Sequence, residues 1–518
     1  MGQAQDEIFA YLSNPKNWPE KPDKVDVVDT HGARIFLAGD SVMKIKRAVK
    51  LPYLDFSTLD LRKRYCLHEF AINSPGAGGL YRDVIPITRE RDGRLLVNGS
   101  GTPVEWAVRM HRFDQGDLLK SVTARGALTP KILDELADGI ARYHANAPAS
   151  KAEAERMSDV TAGVLSGLET SATPDLSGLL QDLRATFQTV LSGTQALRAT
   201  RAKSGHIRRC HGDLHTANIV LWKGHPVLFD ALEFDEELAT IDTMYDFAFL
   251  LMDLERMNAR EAANALLNRY LWRTQDISDV EALRLLPLFM SLRACVRALV
   301  AMDRLEATHG DSGTLRASAH KSLAHAHHWL QPPPPRLIVV AGLSGTGKST
   351  LARALAPLID PAPGALHLRS DLERKALAGV EPTDRLPPSA YSKQTANAVY
   401  NRLIARGEAA LRAGHSVIID AVMADPSERD DVEALAHRTG VPFFGLWLEG
   451  DAQTLKTRVA NRVGDASDAT SAVVEKQLGY DIGNIRWPRL DATASALQTL
   501  SEARGVLGIA DRASSAAP

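Results

Sequence analysis

Residues 211–218 read HGDLHTAN, and the next apolar run, residues 227–230, reads VLFD. Asp213 and Asn218 are five residues apart in the first segment, and Asp230 ends the second. An aspartate in such a loop can orient a hydroxyl group and accept its proton, while Asn218 and Asp230 can hold Mg²⁺ ions that neutralise charge on the phosphates of ATP. Oxygen atoms are the ligands that Mg²⁺ prefers. The pattern predicts transfer of a phosphoryl group from ATP to a hydroxyl.

A second phosphate-binding pattern lies in the C-terminal part, where residues 342–349 read GLSGTGKS. This run matches G-x-x-x-x-G-K-[ST] at every fixed position, and it follows an apolar strand and precedes a helical pattern. Its glycines let backbone N–H groups turn inward around phosphates, and the helix N-terminus adds partial positive charge. Lys348 is expected to reach the β/γ oxygens and Ser349 to bind Mg²⁺. The predicted ATP-binding residues of this loop are Gly342, Ser344, Gly345, Thr346, Gly347, Lys348, Ser349 and Thr350.

Two acidic residues and two arginines accompany this loop. Asp371 and Asp420 each follow an apolar run, and open α/β sheets bind ligands at the carboxyl ends of their strands. Asp420 is therefore a candidate Mg²⁺ ligand. Arg458 and Arg462 are four apart, so one helix would place them on one face, where both could close over the transferring phosphates. Two structural alternatives stay open, namely a capping box at residues 370–373 and a buried strand-end role for Asp420.

A strand that carries two lysines lies near the N-terminus, where residues 42–46 read VMKIK. Lys44 and Lys46 alternate to the same face, so the strand pattern does not choose between them. Glu69, in a helical pattern, is the natural ion-pair partner that would hold one lysine against the α/β-phosphates. Residues 105–110 come where an adenine-binding hinge between two lobes would fall.

The HGDLHTAN motif with Asp230 resembles the aminoglycoside phosphotransferase and choline kinase branch of the protein-kinase-like fold, over most of residues 25–325. The resemblance implies these roles: Asp213 as catalytic base, Asn218 and Asp230 as metal ligands, Lys44 and Glu69 as phosphate clamp. It also implies a structural role for Asp246. The sequence departs from the branch because no G-x-G-x-x-G loop is present, and because ALE follows Asp230 in place of the usual WE. The acidic residues 233–237 either receive a cationic substrate or form a solvated loop.

The second set of motifs is similar to small P-loop kinases such as gluconate kinase, and more loosely to zeta-toxin and polynucleotide kinases, over residues 336–490. This resemblance implies that Asp371 faces the acceptor hydroxyl, with Arg374 near it, and that Arg458 and Arg462 are lid arginines. The whole chain resembles a bacterial family in which an aminoglycoside-phosphotransferase-like domain is fused to a P-loop ATPase domain.

The composition is that of an ordinary globular protein. Of 518 residues, 45% are hydrophobic and 24% charged, with a net charge of −2, which gives no support to nucleic acid or an anionic membrane as partner. The three cysteines form neither a disulfide framework nor a metal-binding spacing. No apolar run reaches the ~18 residues of a membrane span. We therefore expect a cytoplasmic protein whose partner is a small hydroxyl-bearing substrate, while its oligomeric state is not indicated.

Four prolines at 332–335 predict a stiff linker, 331–335, between an N-terminal domain at 1–330 and a C-terminal domain at 336–518. Short β-rich runs predict a small lobe at about 20–115, and helical patterns predict a larger lobe at about 116–330. After the prolines, the run LIVV is typical of a buried parallel strand. The predicted fold class is multidomain, α/β and α+β, with a bilobal protein-kinase-like domain followed by a P-loop NTPase domain built on a parallel sheet.

Together these patterns predict a bifunctional ATP-dependent phosphotransferase with two separate Mg-ATP sites. Two alternatives remain. One is a regulatory nucleotide-binding protein with an inactive kinase-like domain and a P-loop switch, and the other is a toxin-like P-loop kinase controlled by its partner domain. Magnesium-dependent ATP turnover, with and without hydroxyl compounds, separates an enzyme from a binding protein. The sequence does not name the acceptor of either domain.

Overall fold

The chain folds into two compact units. The first comprises Met1–Glu155 and Arg198–Asp253, and the second comprises Arg156–Leu197 and Leu254–Pro518. In this computed structural model the described residues are 3–30, 32–51, 54–150, 156–171, 176–307, 312–462 and 464–509.

The described residues form strands and helices joined by short turns. The strands are β1 (Val25–Asp29), β2 (Ala33–Ala38), β3 (Ser41–Lys46), β4 (Lys50–Leu51), β5 (Leu54–Asp55), β6 (Tyr81–Arg89), β7 (Leu95–Val97), β8 (Thr102–His111), β9 (Ile207–Arg209), β10 (Ile219–Trp222), β11 (His225–Leu228), β12 (Thr240–Asp242), β13 (Leu337–Gly342), β14 (Leu366–Arg369), β15 (Val417–Asp420), β16 (Phe443–Glu449) and β17 (Arg489–Asp491). The helices are α1 (Gln3–Ser13), α2 (Leu59–Asn73), α3 (Leu119–Ala124), α4 (Pro130–Asn146), α5 (Met157–Thr170), α6 (Ser177–Lys203), α7 (Glu236–Ala239), α8 (Thr243–Arg256), α9 (Arg260–Thr274), α10 (Ile277–Glu281), α11 (Leu286–Ala307), α12 (Ser312–Trp329), α13 (Lys348–Leu355), α14 (Ser370–Ala378), α15 (Lys393–Arg412), α16 (Pro426–Thr439), α17 (Ala452–Ala460), α18 (Ser471–Leu478) and α19 (Ala496–Leu507).

The first unit contains a six-stranded antiparallel sheet in the order β1-β2-β3-β8-β6-β7. Successive side chains of β3 alternate between the two faces of this sheet. Met43 and Ile45 lie in an apolar core with Phe9 of α1. Lys44 and Lys46 lie on the opposite face, where both contact α2. The period of the strand therefore directs both lysines toward the same helix.

A hairpin and buried helices complete the first unit. Strands β10 and β11 pair antiparallel across Lys223 and Gly224, which have φ of 53° and 83°. Two positive φ values in a two-residue loop match the right-handed twist of the flanking strands. A lysine–glycine pair therefore forms this tight hairpin turn. Helix α4 begins at Pro130. Thr129 is its N-cap residue, and the Thr129 hydroxyl accepts a hydrogen bond from the Ile132 amide.

The second unit contains a five-stranded parallel sheet in the order β14-β15-β13-β16-β17. All residues of the central strand β13 are buried, as expected for a strand covered on both faces. Ile338 and Val340 pack with Leu351 of α13 and Leu507 of α19. The antiparallel sheet in one unit and the parallel sheet in the other confirm the predicted fold class.

Helix α9 belongs to the unit of the parallel sheet and bonds directly to it. The amide of His367 in β14 donates to Asn268 Oδ1 over 2.6 Å, and Trp272 Nε1 donates to the carbonyl of Leu372 in α14 over 3.1 Å. The prolines at 332–335 therefore lie within one compact unit. The functional boundary that they predict stays a prediction.

Residues 277–307 do not form one continuous helix. Helix α10 is followed by a short 3₁₀ turn and then by α11, which begins at Leu286. Pro287 explains the break, because proline is accepted in the first turn of a helix but not in its interior.

Among the described residues, no single helix has the length and apolar character to cross a membrane. Residues 277–284 and 286–303 reach that length and composition only as a pair, with a bend of 63° between them.

Candidate functional site

The loop between β9 and β10 brings the predicted base and its neighbouring amide together. Asn218 Nδ2 donates to Asp213 Oδ2 over 2.9 Å and to the Asp213 carbonyl over 3.0 Å. His215 Nε2 lies 3.4 Å from the same carboxylate oxygen. The side chain of Asp213 is 41% exposed, so a bound substrate can reach it. Asn218 thus orients the carboxylate toward an open part of the site.

Buried Asp246 of α8 holds this loop in place. Its Oδ1 accepts from the Gly212 amide over 2.8 Å, and its Oδ2 accepts from the His211 amide over 3.1 Å. His144 Nε2 also lies 3.1 Å from Oδ2. His144, Cys210 and Asp246 form a tight buried group, but hydrogen bonds already occupy both oxygens of Asp246. The contacts give Asp246 a positioning role next to Asp213.

Both candidate lysines of β3 contact Glu69. Lys44 Nζ lies 2.9 Å from Glu69 Oε1 and 2.5 Å from Asp230 Oδ1. Lys46 Nζ lies 2.8 Å from Glu69 Oε2 and also forms an ion pair with Glu233. Lys44 is therefore the lysine beside the predicted metal ligand, while Lys46 binds the other oxygen of Glu69. Because Glu233 is buried in this pair, it is not available to a cationic substrate.

These charges are stabilised by one another. Burial disfavours the charged form of any side chain, so by itself it would lower the pKa of Lys44 and raise that of Glu69. The carboxylates of Asp230 and Glu69 outweigh burial and raise the pKa of Lys44 well above its usual value. The two lysines likewise hold the pKa of Glu69 below its usual value. Lys44 and Glu69 therefore remain charged at neutral pH.

Two residues that the sequence analysis missed hold the backbone at the predicted metal ligand. Asp230 has φ of 60°, a left-handed conformation that aspartate tolerates better than most residues. Its amide donates to Tyr81 Oη over 3.1 Å, and the amide of Ala231 donates to Asn73 Oδ1 over 2.9 Å. No local pattern marks Tyr81 or Asn73, because 149 and 158 residues separate them from their partners.

The predicted hinge at residues 105–110 is wrong. These residues lie inside β8, which pairs with β3 on one side and β6 on the other. Glu105 is buried and accepts from Arg62 Nε over 2.9 Å and from Gln5 Nε2 over 2.7 Å. A segment within a strand that pairs with β6, and from Ala107 onward also with β3, cannot serve as a hinge. The chain leaves this sheet only after His111.

The P-loop follows the central strand β13 of the parallel sheet. A Cβ atom at Gly342 would lie 2.5 Å from the Leu448 carbonyl oxygen, and one at Gly345 would lie 2.6 Å from that of Leu455. Both glycines also have positive φ, so their backbone conformation and their surroundings require glycine. Lys348 begins α13, and its Nζ donates to the Leu343 carbonyl over 3.0 Å.

The end of β15 meets the start of α13. Ser349 Oγ donates to Asp420 Oδ2 over 2.5 Å, while His367 Nε2 and Arg369 Nε lie 3.4 and 3.6 Å from the same oxygen. Burial alone would raise the pKa of Asp420, but His367, Arg369 and Lys348 outweigh it and hold this pKa at about 2. A hydroxyl and an ionised carboxylate therefore meet beside the P-loop, and this donor set suits Mg²⁺.

Asp371 lies in the first turn of α14. Burial lowers the pKa of Lys348, and the nearby carboxylates of Asp420 and Asp371 partly oppose that effect. The possible capping box is not formed, because the helix has no side-chain cap, and buried Glu373 instead pairs with arginines of α15. The guanidinium of Arg374, one turn further on, stacks 4.9 Å above the ring of Tyr391.

The predicted common helix face of the two arginines is wrong. Helix α17 ends at Ala460, with Asn461 as its C-cap, so Arg462 lies beyond the helix. Arg458 Nη1 donates to the Ala492 carbonyl over 2.5 Å. The charge of Arg462 instead contributes to lowering the pKa of Lys348. Arg462 is therefore close enough to the P-loop lysine for its charge to act on it.

A pocket of about 620 Å³ opens beside the P-loop. Its volume is in the range of small-molecule sites. Its lining combines apolar and polar side chains from the P-loop, the sheet edge and α17, including Leu343, Thr346, Trp447, Leu455, Leu490 and Thr493.

Comparisons with known proteins cover both parts of the chain. Residues 82–286 match the model of the phosphotransferase enzyme family, and residues 337–480 match the model of the AAA domain. These matches confirm the pairing of a phosphotransferase-like domain with a P-loop domain. The uncharacterized protein Rv2004c of Mycobacterium tuberculosis (strain ATCC 25618 / H37Rv) is 31% identical over 499 residues, which cover 92% of this chain and 94% of that protein. The uncharacterized protein Mb2027c of Mycobacterium bovis gives the same values.

Solved structures of kinases are also similar to parts of the chain. A sugar kinase from Janibacter sp. HTCC2649 is 24% identical, covers 34% of this chain and 96% of its own, and has a TM-score of 0.26. A choline kinase from Cryptosporidium parvum Iowa II is 11% identical, covers 62% of this chain and 95% of its own, and has a TM-score of 0.40.

Proposed function

Since the chain belongs to the family of the mycobacterial protein Rv2004c and joins a phosphotransferase domain to a P-loop domain, we propose that it is a phosphotransferase with two separate ATP sites. Each site transfers the γ-phosphate of ATP to a hydroxyl group of a small molecule. The observation that carries this proposal is that each compact unit contains its own set of the residues predicted to bind phosphate and to accept a proton. These are Lys44, Glu69, Asp213, Asn218 and Asp230 in the first unit, and Lys348, Ser349, Asp371 and Asp420 in the second.

In the first site, Asp213 accepts the proton of the acceptor hydroxyl, and Asn218 keeps its carboxylate oriented. Lys44, held by Glu69, binds the phosphates of ATP. Asn218 and Asp230 are the residues that would hold Mg²⁺, and bound Mg²⁺ would neutralise the phosphate charge. Lys44 Nζ lies 2.5 Å from Asp230 Oδ1, so its ammonium group is next to the position where phosphates would bind.

In the second site, the P-loop amides and Lys348 bind the β/γ-phosphates. Ser349 and Asp420, 2.5 Å apart, are the residues that would hold Mg²⁺. Asp371 accepts the proton of the acceptor hydroxyl, and Arg462 stabilises charge on the transferring phosphate. Purified chain incubated with ATP and a metabolite pool should give two classes of labelled product. Asp213→Asn should remove one class, and Asp371→Asn should remove the other.

We also place the functional boundary at the proline run, 331–335, between residues 1–330 and 336–518. The two family matches support it, because 82–286 lies before the prolines and 337–480 lies after them. This boundary separates the residues of the first proposed ATP site from those of the second. It differs from the boundary between the two compact units.

Calorimetry with a non-hydrolysable ATP analogue and magnesium tests the number of sites. We expect two nucleotides per chain, with one binding event lost in Lys348→Ala and the other lost in Asp230→Ala. Lys456→Ala, which removes a lysine on the surface of α17, is the matched control and should retain both. A stoichiometry of one that either site variant abolishes would mean a single composite site and would overturn the proposal.

A further inference from the structure

We propose that Lys46 and Glu233 are positioning residues of the first ATP site. They form a second buried lysine–glutamate pair that fixes Glu69 and the segment after Asp230, whether or not Lys44 is engaged with nucleotide. This inference rests on the proposed function of that site.

The pair is enclosed on every side. The side chain of Lys46 is 1% exposed, against 13% for Lys44. Lys46 Nζ lies 2.8 Å from Glu69 Oε2, contacts Glu233 and lies 4.8 Å from the centre of the Phe56 ring. Each lysine thus takes one oxygen of Glu69. The more exposed lysine faces the site, and the enclosed one faces the protein interior.

The different positions of Lys44 and Lys46 matter when nucleotide binds. Lys44 bridges Glu69 and Asp230, at 2.9 and 2.5 Å. Binding of magnesium nucleotide requires Lys44 to contact phosphate and Asp230 to contact metal, so the Lys44–Asp230 bond must open. Lys44 then shares its charge between Glu69 and phosphate, and a buried carboxylate that loses part of its charge compensation is strongly destabilised. Because Lys46 has its own bond to Glu69, Glu69 remains compensated when Lys44 also binds phosphate.

The same pair connects three elements of the site. Lys46 lies on β3, Glu69 on α2, and Glu233 three residues after Asp230. The Asp230 segment is itself bonded to α2, through the amide of Ala231 and Asn73 Oδ1. Lys46 therefore ties the strand that carries Lys44, the helix that carries Glu69 and the segment that carries Asp230. The consequence is a lysine–glutamate clamp whose three elements are held together by contacts other than those of Lys44.

Substitutions that separate stability from positioning test this inference. In full-length chain carrying Lys348→Ala to silence the P-loop site, Lys46→Met should lower the melting temperature, because it leaves Glu233 buried without its partner. The double variant Lys46→Met, Glu233→Leu removes both charges and should restore melting close to that of the parent. Its magnesium-dependent ATP turnover should stay at least about 10-fold below the parent. Lys63→Met, on the exposed side of α2, is the matched control and should leave turnover unchanged.

Hydrogen exchange gives a second measurement that does not depend on turnover. In the double variant, amides of residues 229–233 should exchange at least about 10-fold faster than in the parent while global stability is restored. The positioning role would be overturned if the double variant recovered parental turnover together with stability. It would also be overturned if exchange of the amides of residues 229–233 were unchanged. If the Lys348→Ala parent itself neither binds nor turns over ATP, the proposed function fails, and the exchange result still decides the role of Lys46.

Discussion

Replacing Asp246 by asparagine should loosen the loop that carries Asp213. Asp246 Oδ1 accepts a hydrogen bond from the Gly212 amide, and its Oδ2 accepts from the His211 amide and from His144. An amide has only one acceptor oxygen. With its NH₂ group toward His211 and His144 it would lose two bonds, whereas with its NH₂ group toward Gly212 it would lose one. The second orientation costs less, so we expect the introduced asparagine to adopt it.

The expected magnitude follows from that one lost bond. A hydrogen bond to a charged group contributes about 1.5–3 kcal/mol, and each 1.36 kcal/mol corresponds to about a factor of ten. The amide of Gly212 should therefore exchange about 10- to 150-fold faster in Asp246→Asn. Since Asp213 is the next residue, we also expect a fall of about 10²-fold in phosphoryl transfer by the first site, because small displacements of a reacting group have effects of that size.

Hydrogen-exchange mass spectrometry of a peptide that covers residues 209–218 measures the first effect. A radiolabel transfer assay, in a chain whose P-loop site is silenced, measures the second. Asp83→Asn is the control, because Asp83 pairs with Arg109 on the small-lobe sheet and should alter neither measurement. Unchanged exchange in 209–218 would show that Asp246 does not hold the loop, and the reasoning from its hydrogen bonds would be refuted.

Three further outcomes are expected. Asp213→Asn should lower transfer by the first site by ~10²–10⁴-fold with nucleotide affinity retained, as measured by initial rates and calorimetry; equal rates in both proteins would exclude Asp213 as the base. Arg462→Ala should lower turnover at the P-loop site more than Arg458→Ala does, because Arg458 bonds to a main-chain carbonyl; the reverse order, measured at saturating ATP, would contradict this assignment. A fragment of residues 254–518 should melt at least about 5 °C above one of residues 336–518, because only the longer fragment keeps α9 and its bonds to β14 and α14. Equal melting temperatures would show that α9 contributes nothing to the stability of that sheet.

The errors in the sequence-based predictions have identifiable physical causes. The hinge prediction placed residues 105–110 between the lobes, but these residues belong to a strand in the middle of a sheet. The prediction for Arg458 and Arg462 assumed that a helix would continue past Asn461, where the chain forms a C-cap. In both cases the error concerns the position at which a strand or a helix ends. Element ends depend on packing and capping contacts that periodicity alone does not report.

The side-chain partners within the site could not be predicted from local sequence patterns. Ser349 and Asp420 are 71 residues apart, and Tyr81 and Asp230 are 149 apart. The strand pattern of β3 left Lys44 and Lys46 equivalent, and the folded chain gives them different partners, Asp230 and Glu233. Such pairs depend on which elements come together and in what register. No local property of the sequence contains that information.

The sequence by itself predicted two motifs typical of phosphate-binding sites, a small β-rich lobe in the N-terminal domain and a parallel sheet after the prolines. Each depends on neighbouring residues, because glycine conformations, strand periods and helix starts are set by sterics within a few residues. Only the tertiary structure decided that Glu69 has two lysines, that Asp246 holds the loop of Asp213, and that α9 belongs with the parallel sheet. These contacts join distant parts of the chain, and they form because buried charges and buried backbone groups must find partners wherever packing places them.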